Sequence, residues 1–522
     1  MNIKGVSKDK ALTQKIDKDG TISATDLANS EDKKANIDKL YVTVEVKNTG
    51  NRSGKQPVQI YVSAPYTGKV EKAEHVLVGF EKTDILEPGE SQEVTVEINV
   101  QDFASYDVDL EHGDEANTKG GYLLEKGKYS IRAMDSSHFD QSTNLADIDD
   151  AFDQFSINLD NDAKLLADDY SLNKVSNQFT YKEKFDPEKV KVGRYKYTYN
   201  SVRTGEIMAD GQSKMTIMSR KDFDATFPTA PTAADRTFNS DWYKNATIMQ
   251  GFRQDDIKDK DGNVRDIVYK DSPDDPWYVD NSDIPADWTQ SKDSETKATY
   301  MFADMMGIDY ESDEIIKGGK FDGKTGREAW TLFMNQLTWQ QIKDVVEWGG
   351  YGTVELPNVE KPADKEADGP NNLSSTFQWA DEPLIASTLN KELAYKQGVI
   401  MGNICMYKGV TGWYAPGFNY HRSAFSGRNN EYYSQDAYAC GTIGSYAIRG
   451  AQSRGVVTYA KHIAFNDQET NRGETFEWVD EQTMRENDLK SFQIAFQEGD
   501  QKQEWSAMVI SQVLLTRITT TY

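Results

Sequence analysis

Short runs in which apolar and polar residues alternate fill the chain from about Leu40 to about Met134. The first reads YVTVEVKNTG, and the next ones read PVQIYVSAP, HVLVGFEKTDIL and QEVTVEINV, most of them followed by asparagine, glycine or proline. A period of two is typical of strands with one buried face. About six such strands in succession predict a β-sandwich over residues 37–160. Residues 1–36 are polar, and we expect a tail or the end of a preceding domain there.

A different pattern begins near Gly326. GREAWTLFMNQLTWQQIKDVVEWGG places Leu332, Leu337, Ile342 and Val346 on one side of a predicted helix. Strand and helix patterns then alternate through WYAPGFN and VVTYAKHIA to the helix DEQTMRENDLKSFQIAFQEG. ADEPLIASTL is predicted to be a strand, with Asn390 near the start of the following helix. This alternation indicates a parallel sheet, so residues 331–522 are predicted to be an α/β domain.

Residues 161–330 separate the two patterns. This stretch is rich in aspartate and lysine and has few long apolar runs, so we expect a partly ordered linker region. DIKDKDGNVRD resembles a calcium loop but lacks the full acidic spacing and the terminal glutamate. A charged turn is therefore the favoured interpretation.

Charge and composition exclude several classes of function. The net charge of -26 argues against partners such as nucleic acid or an anionic membrane, which require clustered lysine and arginine. Cys405 and Cys440 are too far apart for a CxxC pair, so a metal site is not expected, and no cofactor is predicted. The N-terminus lacks the apolar core of a signal peptide and no apolar run is long enough to span a membrane, which predicts a cytoplasmic protein.

Polar residues cluster directly after the predicted strands of the α/β domain. Asp368, Arg428, Lys461 and His462 each follow a strand pattern. Because the carboxyl ends of parallel strands meet at one edge of a sheet, we expect these side chains to share a pocket. Each also has a simpler explanation: Asp368 can stabilise the turn at Gly369, Arg428 can form an ion pair, and Lys461-His462 can be a charged loop.

The motifs WYAPGFNYHRSAFSGRNNEYYSQD, AKHIAFNDQETNRG and WVDEQTMRE resemble the N-terminal half of the catalytic barrel of glycoside hydrolase family 3, the β-glucosidase family. VKNTGNRSGKQPVQIYVSAP and LVGFEKTDILEPGESQEVTVEI resemble the fibronectin type III-like domain that accompanies it. The resemblance implies a multidomain β plus α/β protein in which this sandwich precedes the first part of a (β/α)8 TIM-type barrel. It also implies hydrolysis of β-linked gluco-oligosaccharides by a retaining mechanism.

The resemblance also assigns roles to residues. It implies that Asp368, in the tripeptide DGP, together with Arg428, Lys461 and His462, binds the hydroxyls of a sugar. Four further charged residues are expected to hold the loops in place: Arg422, Glu431, Asp467 and Glu469. Gln435 stands where the family usually has glutamate.

Neither catalytic carboxylate is found by motif. The resemblance places the nucleophile in an SDW- or TDY-like motif on a later strand, and the acid/base on a separate domain that precedes the sandwich in members with reversed domain order. The expectation is therefore a fragment that is inactive alone, marginally folded in its second half, and completed by the acid/base domain or another subunit. The alternative is a non-catalytic carbohydrate-binding or interaction protein.

Overall fold

The computed structural model of the chain describes most of both predicted domains. The described residues are 2–7, 13–27, 37–111, 119–137, 154–165, 218–227, 298–310, 312–347, 349, 352–373, 378–470 and 480–499. Most of the predicted linker, including DIKDKDGNVRD, lies outside the described residues, as do 500–522.

The first part of the chain is built from antiparallel strands. One sheet has the order β2-β1-β4-β7, and a second has the order β3-β11-β10-β5-β6, in which β3 alone pairs in parallel. The strands are β1 (Asn2–Ser7), β2 (Thr13–Ile16), β3 (Gly20–Ile22), β4 (Ile37–Lys47), β5 (Pro57–Ser63), β6 (Val76–Lys82), β7 (Ser91–Asn99), β8 (Ser105–Glu111), β9 (Lys119–Leu124), β10 (Gly127–Met134), β11 (Gln154–Leu159) and β12 (Ala163–Leu165). The last of these joins β9 and β8 in a third, three-stranded sheet.

The two larger sheets share one hydrophobic core. In β7 the buried positions are Val94, Val96 and Ile98, and the residues between them are exposed, as the period of two predicts. These side chains belong to the same cluster as Leu40 of β4 and Ile131 of β10. The alternation in the sequence therefore identifies the buried face of these strands.

The N-terminal strands differ from the predicted tail. β1 pairs with β4 from Asn2 opposite Thr43 to Ser7 opposite Ile37, and β3 pairs with β11. Ile3, Ile16 and Ile22 lie in the shared core, as do Ala24 and Leu27, the first and last residues of the short helix α1 (Ala24–Leu27). These strands are only three to six residues long, so the sequence pattern alone did not indicate a place in a sheet.

The region before the α/β part forms a small helical cluster. It contains α3 (Gly326–Met334) and α4 (Trp339–Glu347); the short α2 (Phe223–Thr226) lies earlier in the chain. Met305, Phe321, Phe333 and Leu356 are among its buried residues. Because this cluster begins near residue 298, ordered structure starts well before the predicted boundary at 331.

The predicted single helix over Gly326–Trp348 is two helices in the structure. Thr338 and Gln341 form a reciprocal pair in which each side chain accepts the other's backbone N–H, at 3.1 and 2.9 Å. This capping arrangement starts α4 as a separate helix, and Leu337, just before it, is buried whereas Val346 is 75% exposed. The prediction that Leu337 and Val346 share one face was therefore wrong.

The last part of the chain alternates strands with helices. The strands β13 (Glu366–Asp368), β14 (Gly412–Tyr414) and β15 (Val457–Thr458) form a parallel sheet in that order. The helices are α5 (Glu382–Ala386), α6 (Lys391–Lys408), α7 (Ala437–Gln452), α8 (Glu481–Thr483) and α9 (Lys490–Gly499). The strand predicted at ADEPLIASTL is instead the helix α5, whose first turn contains Pro383. Asn390 caps α6 as predicted, accepting the Leu393 N–H at 3.0 Å.

The β part and the α/β part pack directly against each other. Phe80 of β6 lies edge-to-face on Tyr438 of α7, with ring centroids 6.2 Å apart. Lys490 of α9 forms an ion pair with Asp102 in which both side chains are largely buried. Within the part of the chain that the structure describes, no helix is long and apolar enough to cross a membrane.

Candidate functional site

The carboxyl ends of the three parallel strands bring the four predicted site residues into one hydrogen-bonded group. Asp368 ends β13, Lys461 and His462 follow β15, and the loop after β14 reaches Arg428. The register aligns Asp368 with Tyr414, so β13 and β14 end at the same level. The sequence-based grouping of these residues is thus observed as geometry, whereas their binding of a ligand stays a prediction.

Lys461 is the buried centre of this group. Its side chain is about 5% exposed, and its ammonium group lies 2.5 Å from Oδ1 of Asp368 and 3.7 Å from Oε2 of Glu431. A buried ammonium group is tolerated only where carboxylates or other acceptors surround it. Lys461 therefore fixes the positions of two carboxylates at the strand ends.

Asp368 stabilises the turn at Gly369 and still has an accessible carboxylate. Its Oδ1 accepts the Gly369 N–H at 2.7 Å, as the turn interpretation predicts. Gly369 has a φ of 127°, and an added Cβ would lie 1.7 Å from the Asn372 carbonyl oxygen, so only glycine fits. About half of the Asp368 side chain is nevertheless exposed. It can therefore accept hydrogen bonds from a ligand while it holds Lys461.

Arg428 is the second cation of the group, and it contacts two carboxylates. Its Nε contacts Glu431, and its Nη1 lies 3.4 Å from Oε1 of Glu469. Burial opposes the guanidinium charge, yet the hydrogen bond with Glu431 holds the pKa of Arg428 above its ordinary value. Because Glu431 is shared with Lys461, the two cations and three carboxylates form one connected network.

His462 is buried and oriented from two sides. Its backbone N–H donates to Oδ1 of Asn419 at 2.7 Å, and its Nδ1 lies 3.1 Å from the hydroxyl of Tyr432. Asn466 donates to that same hydroxyl at 2.7 Å. Burial raises the pKa of Tyr432, so the phenol stays protonated and can donate to Nδ1. When Tyr432 donates to Nδ1, the neutral imidazole carries its ring proton on Nε2, and Nε2 can then act as a donor.

The residues predicted to hold the loops do form loop contacts. Arg422 lies 3.0 Å from Asp467 through its Nε and contacts Asp488 through Nη2, which ties the loop after β14 to the segment before α9. Glu431 and Glu469 both contact Arg428. These ion pairs form without any contribution from position 435, where glutamine replaces the family's usual glutamate.

Two further carboxylates were missed by sequence reasoning. Glu366 of β13 accepts hydrogen bonds from the hydroxyls of Tyr459 at 2.6 Å and Tyr414 at 2.5 Å, two residues before Asp368. Glu382 of α5 is 0% exposed, and among the described residues neither of its carboxylate oxygens accepts a hydrogen bond from another residue. Burial, with a smaller contribution from nearby Glu431, raises the pKa of Glu382 well above its ordinary value. The spacing of two between Glu366 and Asp368 was the one feature of the sequence that could have indicated Glu366. No feature of the sequence indicated that Glu382 is buried.

The arrangement offers both donors and acceptors to an uncharged polar ligand. Asp368 supplies an exposed acceptor, and Arg428, Lys461 and His462 supply donors around it. Among the described residues, no group of three or more histidine, cysteine, aspartate or glutamate side chains stands together in a way that could hold a metal ion. A ligand rich in hydroxyl groups matches this chemistry because each hydroxyl both donates and accepts.

Comparison with known proteins finds a family match in each half of the chain. Residues 56–137 match the fibronectin type III-like domain, and residues 379–517 match the glycosyl hydrolase family 3 N terminal domain. Beta-glucosidase A of Butyrivibrio fibrisolvens is 27% identical over 471 residues, which are 88% of this chain and 46% of that protein. A beta-glucosidase of Ruminococcus albus is 25% identical over 480 residues, 91% of this chain and 40% of that protein. The chain thus spans less than half the length of these relatives.

A solved structure has the same fold over most of the chain. A beta-glucosidase from Paenibacillus barengoltzii aligns with 90% of this chain and 42% of its own, with a TM-score of 0.53 and 20% sequence identity. This likeness confirms a multidomain β plus α/β architecture.

Proposed function

We propose that the chain is part of a β-glucosidase-type hydrolase, because residues 379–517 match the glycosyl hydrolase family 3 N terminal domain and residues 56–137 match the fibronectin type III-like domain. Its substrates are β-linked gluco-oligosaccharides or other β-glucosides, cleaved at the O-glycosyl bond in carbohydrate metabolism. The observation that carries the proposal is the ion pair of Lys461 and Asp368 at the strand ends, with Arg428 joined to it through Glu431.

The proposed roles follow from the chemistry of a glucose ring. Asp368 accepts hydrogen bonds from sugar hydroxyls, because its carboxylate is the half-exposed partner in the pair with Lys461. Arg428, Lys461 and His462 donate to the hydroxyl oxygens. Charge-assisted hydrogen bonds of this kind are roughly twice as strong as neutral ones, which suits an uncharged ligand that must be extracted from water.

The reaction is proposed to retain the anomeric configuration. A retaining glycosidase places a nucleophile and an acid/base about 5 Å apart across the scissile bond. We assign neither role to Asp368 or Glu431, because both carboxylates are engaged by buried Lys461. The nucleophile and the acid/base are proposed to lie outside these 522 residues, as the family motifs imply.

The domain assignment is part of the same proposal. The antiparallel sheets correspond to the fibronectin type III-like β-sandwich, and the three parallel strands with their helices to the first part of a (β/α)8 barrel. Parallel order β13-β14-β15 and polar residues at the strand ends support this, since TIM-type barrels carry their sites at that edge.

Calorimetric titration with glucose and methyl β-glucoside tests the binding role. We expect the purified chain to bind both, and Asp368→Asn to lower the affinity about tenfold or more, because a hydrogen bond to a charged group is lost. Glu392→Gln is the matched control, since that carboxylate forms an exposed ion pair with Lys396 on α6, away from the strand ends. Unchanged affinity in Asp368→Asn, or no binding by the wild-type chain, would reject the proposed site.

A non-catalytic carbohydrate-binding protein is the second candidate. The same pocket supports it, because holding a sugar requires donors and acceptors but no nucleophile. An assay of aryl β-glucoside hydrolysis separates the candidates. Binding without turnover, in the chain and in any longer protein that contains it, favours the second; turnover only in the longer protein favours the first.

A further inference from the structure

Phe425 is an aromatic residue that the fold holds almost entirely in solvent. Its side chain is 94% exposed, more than any of the other large hydrophobic side chains among the described residues. Exposing an aromatic ring forfeits the stabilisation that burial would give, so such a residue requires an explanation when the backbone around it is fixed.

The loop that carries Phe425 is fixed by hydrogen bonds on both sides. The Phe425 N–H donates to Ser423 Oγ at 3.1 Å, and Asn429 donates to the Ser423 carbonyl at 2.8 Å. Buried Ser426 donates to Asn429 at 2.7 Å through its hydroxyl. The loop is therefore closed on itself, and Phe425 is displayed from an ordered backbone rather than from a free segment.

The same loop contacts the group of residues that is proposed to bind sugar. The Ser426 carbonyl accepts the Glu469 N–H at 2.9 Å, and Glu469 lies 3.4 Å from Arg428. Gly427 has a φ of 90°, and an added Cβ would lie 3.2 Å from the Cβ of Glu469, so the two loops are in close contact. Phe425 and Arg428 are three positions apart in the sequence, which places their Cα atoms at most about 11 Å apart. A second sugar ring attached to a glucose at Arg428 lies within that reach.

We infer that Phe425 is the platform on which the leaving group of the β-glucoside stacks, whether that group is a second sugar or an aromatic ring. The inference rests on the proposed function and adds a specificity-determining residue to it. The flat face of a phenyl ring matches the apolar C–H face of a sugar and the face of an aromatic group. Glucose itself, which has no leaving group, does not reach Phe425.

The test compares ligands that differ only in the leaving group. Binding of glucose, methyl 1-thio-β-glucoside and phenyl 1-thio-β-glucoside is measured by calorimetry on the full chain and on Phe425→Ala and Phe425→Trp. We expect the wild type to prefer the phenyl over the methyl thioglucoside. Phe425→Ala should reduce affinity for the phenyl ligand about three- to tenfold and leave glucose within twofold, and Phe425→Trp should retain the preference. Tyr407→Ala is the control, because Tyr407 is also highly exposed but lies near the end of α6.

Each outcome separates this inference from the proposed function. If glucose binds and Phe425→Ala leaves the phenyl preference unchanged, the inference is wrong and the sugar site stands. If glucose does not bind to the wild type, the proposed function fails and the inference fails with it. If the wild type self-associates in sedimentation and Phe425→Ala does not, a second copy of the chain covers the ring, and the inference is overturned.

Discussion

The ammonium group of Lys461 lies 2.5 Å from a carboxylate oxygen of Asp368, although 93 positions separate the two residues. Asp368 ends β13 and Lys461 follows β15, and β14 lies between these two strands, so no backbone ladder joins β13 to β15 directly. The side-chain pair therefore ties the ends of two non-adjacent strands across the candidate site. A substitution at either residue should therefore change both the stability of this sheet edge and the proposed binding of sugar.

Removing the Asp368 charge should destabilise this edge to a limited degree. Lys461 is 4% exposed but keeps Glu431 at 3.7 Å, and Asp368 itself is half exposed. We expect Asp368→Asn to lower the free energy of unfolding by about 1–2 kcal/mol, less than for a fully buried pair. Urea unfolding measures this, with Glu392→Gln expected to stay within about 0.5 kcal/mol. A loss equal to that of the control would show that Glu431 alone satisfies Lys461.

Glu382 should make stability fall as the pH rises. Burial raises its pKa well above the ordinary value of 4.5 in the folded state, whereas the unfolded chain titrates near that value. Between those two values the folded state holds more protons than the unfolded state, so each pH unit removes up to about 1.4 kcal/mol. Glu382→Gln has no such titration. We expect its free energy of unfolding to fall less steeply than that of the wild type from pH 5 to 7.

The Glu382 prediction is tested by the slope of the free energy of unfolding against pH. Its absolute value is not the test, because the buried amide of Glu382→Gln changes stability by a similar amount at every pH. The charged groups near the Glu382 carboxyl are Glu431, Lys461 and Asp381. Unfolding curves of the wild type, Glu382→Gln and Glu392→Gln are compared across the range. Parallel pH dependence of the wild type and Glu382→Gln would mean that the carboxyl is ionised in the folded protein.

Features that depend on neighbouring residues, such as the buried face of a strand, could be predicted from the sequence. Features that depend on contacts between distant residues could not. Val94, Val96 and Ile98 alternate with exposed neighbours, and that period is visible without a partner strand. The capping pair of Thr338 and Gln341 was also readable, although the apolar spacing around it suggested one continuous helix. Glu382 could not be foreseen, since its burial beside Glu431 and Lys461 depends on residues far along the chain. The role of Ile3 likewise depends on the pairing of β1 with β4.

The ion pair between Lys490 and Asp102 should be costly to break from one side. Both side chains are largely buried where the β part meets α9. Burial opposes the charge of Lys490, but Asp102 more than offsets this and the pKa of Lys490 is raised. Asp102→Asn leaves a buried ammonium group without its main counter-charge, so we expect a loss of about 3–5 kcal/mol in the free energy of unfolding.

A double substitution tests whether the loss at Asp102 comes from the stranded charge. Asp102→Asn with Lys490→Met removes both charges, and we expect it to recover most of the stability lost in Asp102→Asn. Lys39→Met is the matched control, because Lys39 and Glu97 form an ion pair with both side chains well exposed. That control should change stability by less than about 1 kcal/mol. If the double variant were as unstable as Asp102→Asn, the loss of stability would come from altered side-chain packing and not from the unpaired charge of Lys490.

Arg428 and Arg422 offer a matched pair that separates ligand binding from loop support. Each guanidinium joins two carboxylates: Arg428 joins Glu431 and Glu469, and Arg422 joins Asp467 and Asp488. Lysine keeps the charge but cannot reach two carboxylates in a fixed fork, so both Arg428→Lys and Arg422→Lys should lower the free energy of unfolding by about 1–2 kcal/mol. Arg428 shares Glu431 with Lys461, whereas neither Asp467 nor Asp488, the two ion-pair partners of Arg422, forms an ion pair with Lys461 among the described residues.

Only one of the two substitutions should therefore affect sugar binding. We expect Arg428→Lys to lower the affinity for glucose about tenfold, because a donor to the ligand is lost and Glu431 is free to shift toward Lys461. Arg422→Lys should leave that affinity within about twofold at a temperature where both variants are folded. Calorimetric titration beside urea unfolding gives both quantities for each variant. Equal losses of affinity in the two variants would mean that Arg428 acts by supporting the loop, because Arg422 supports the same loop but is not among the proposed ligand-binding residues.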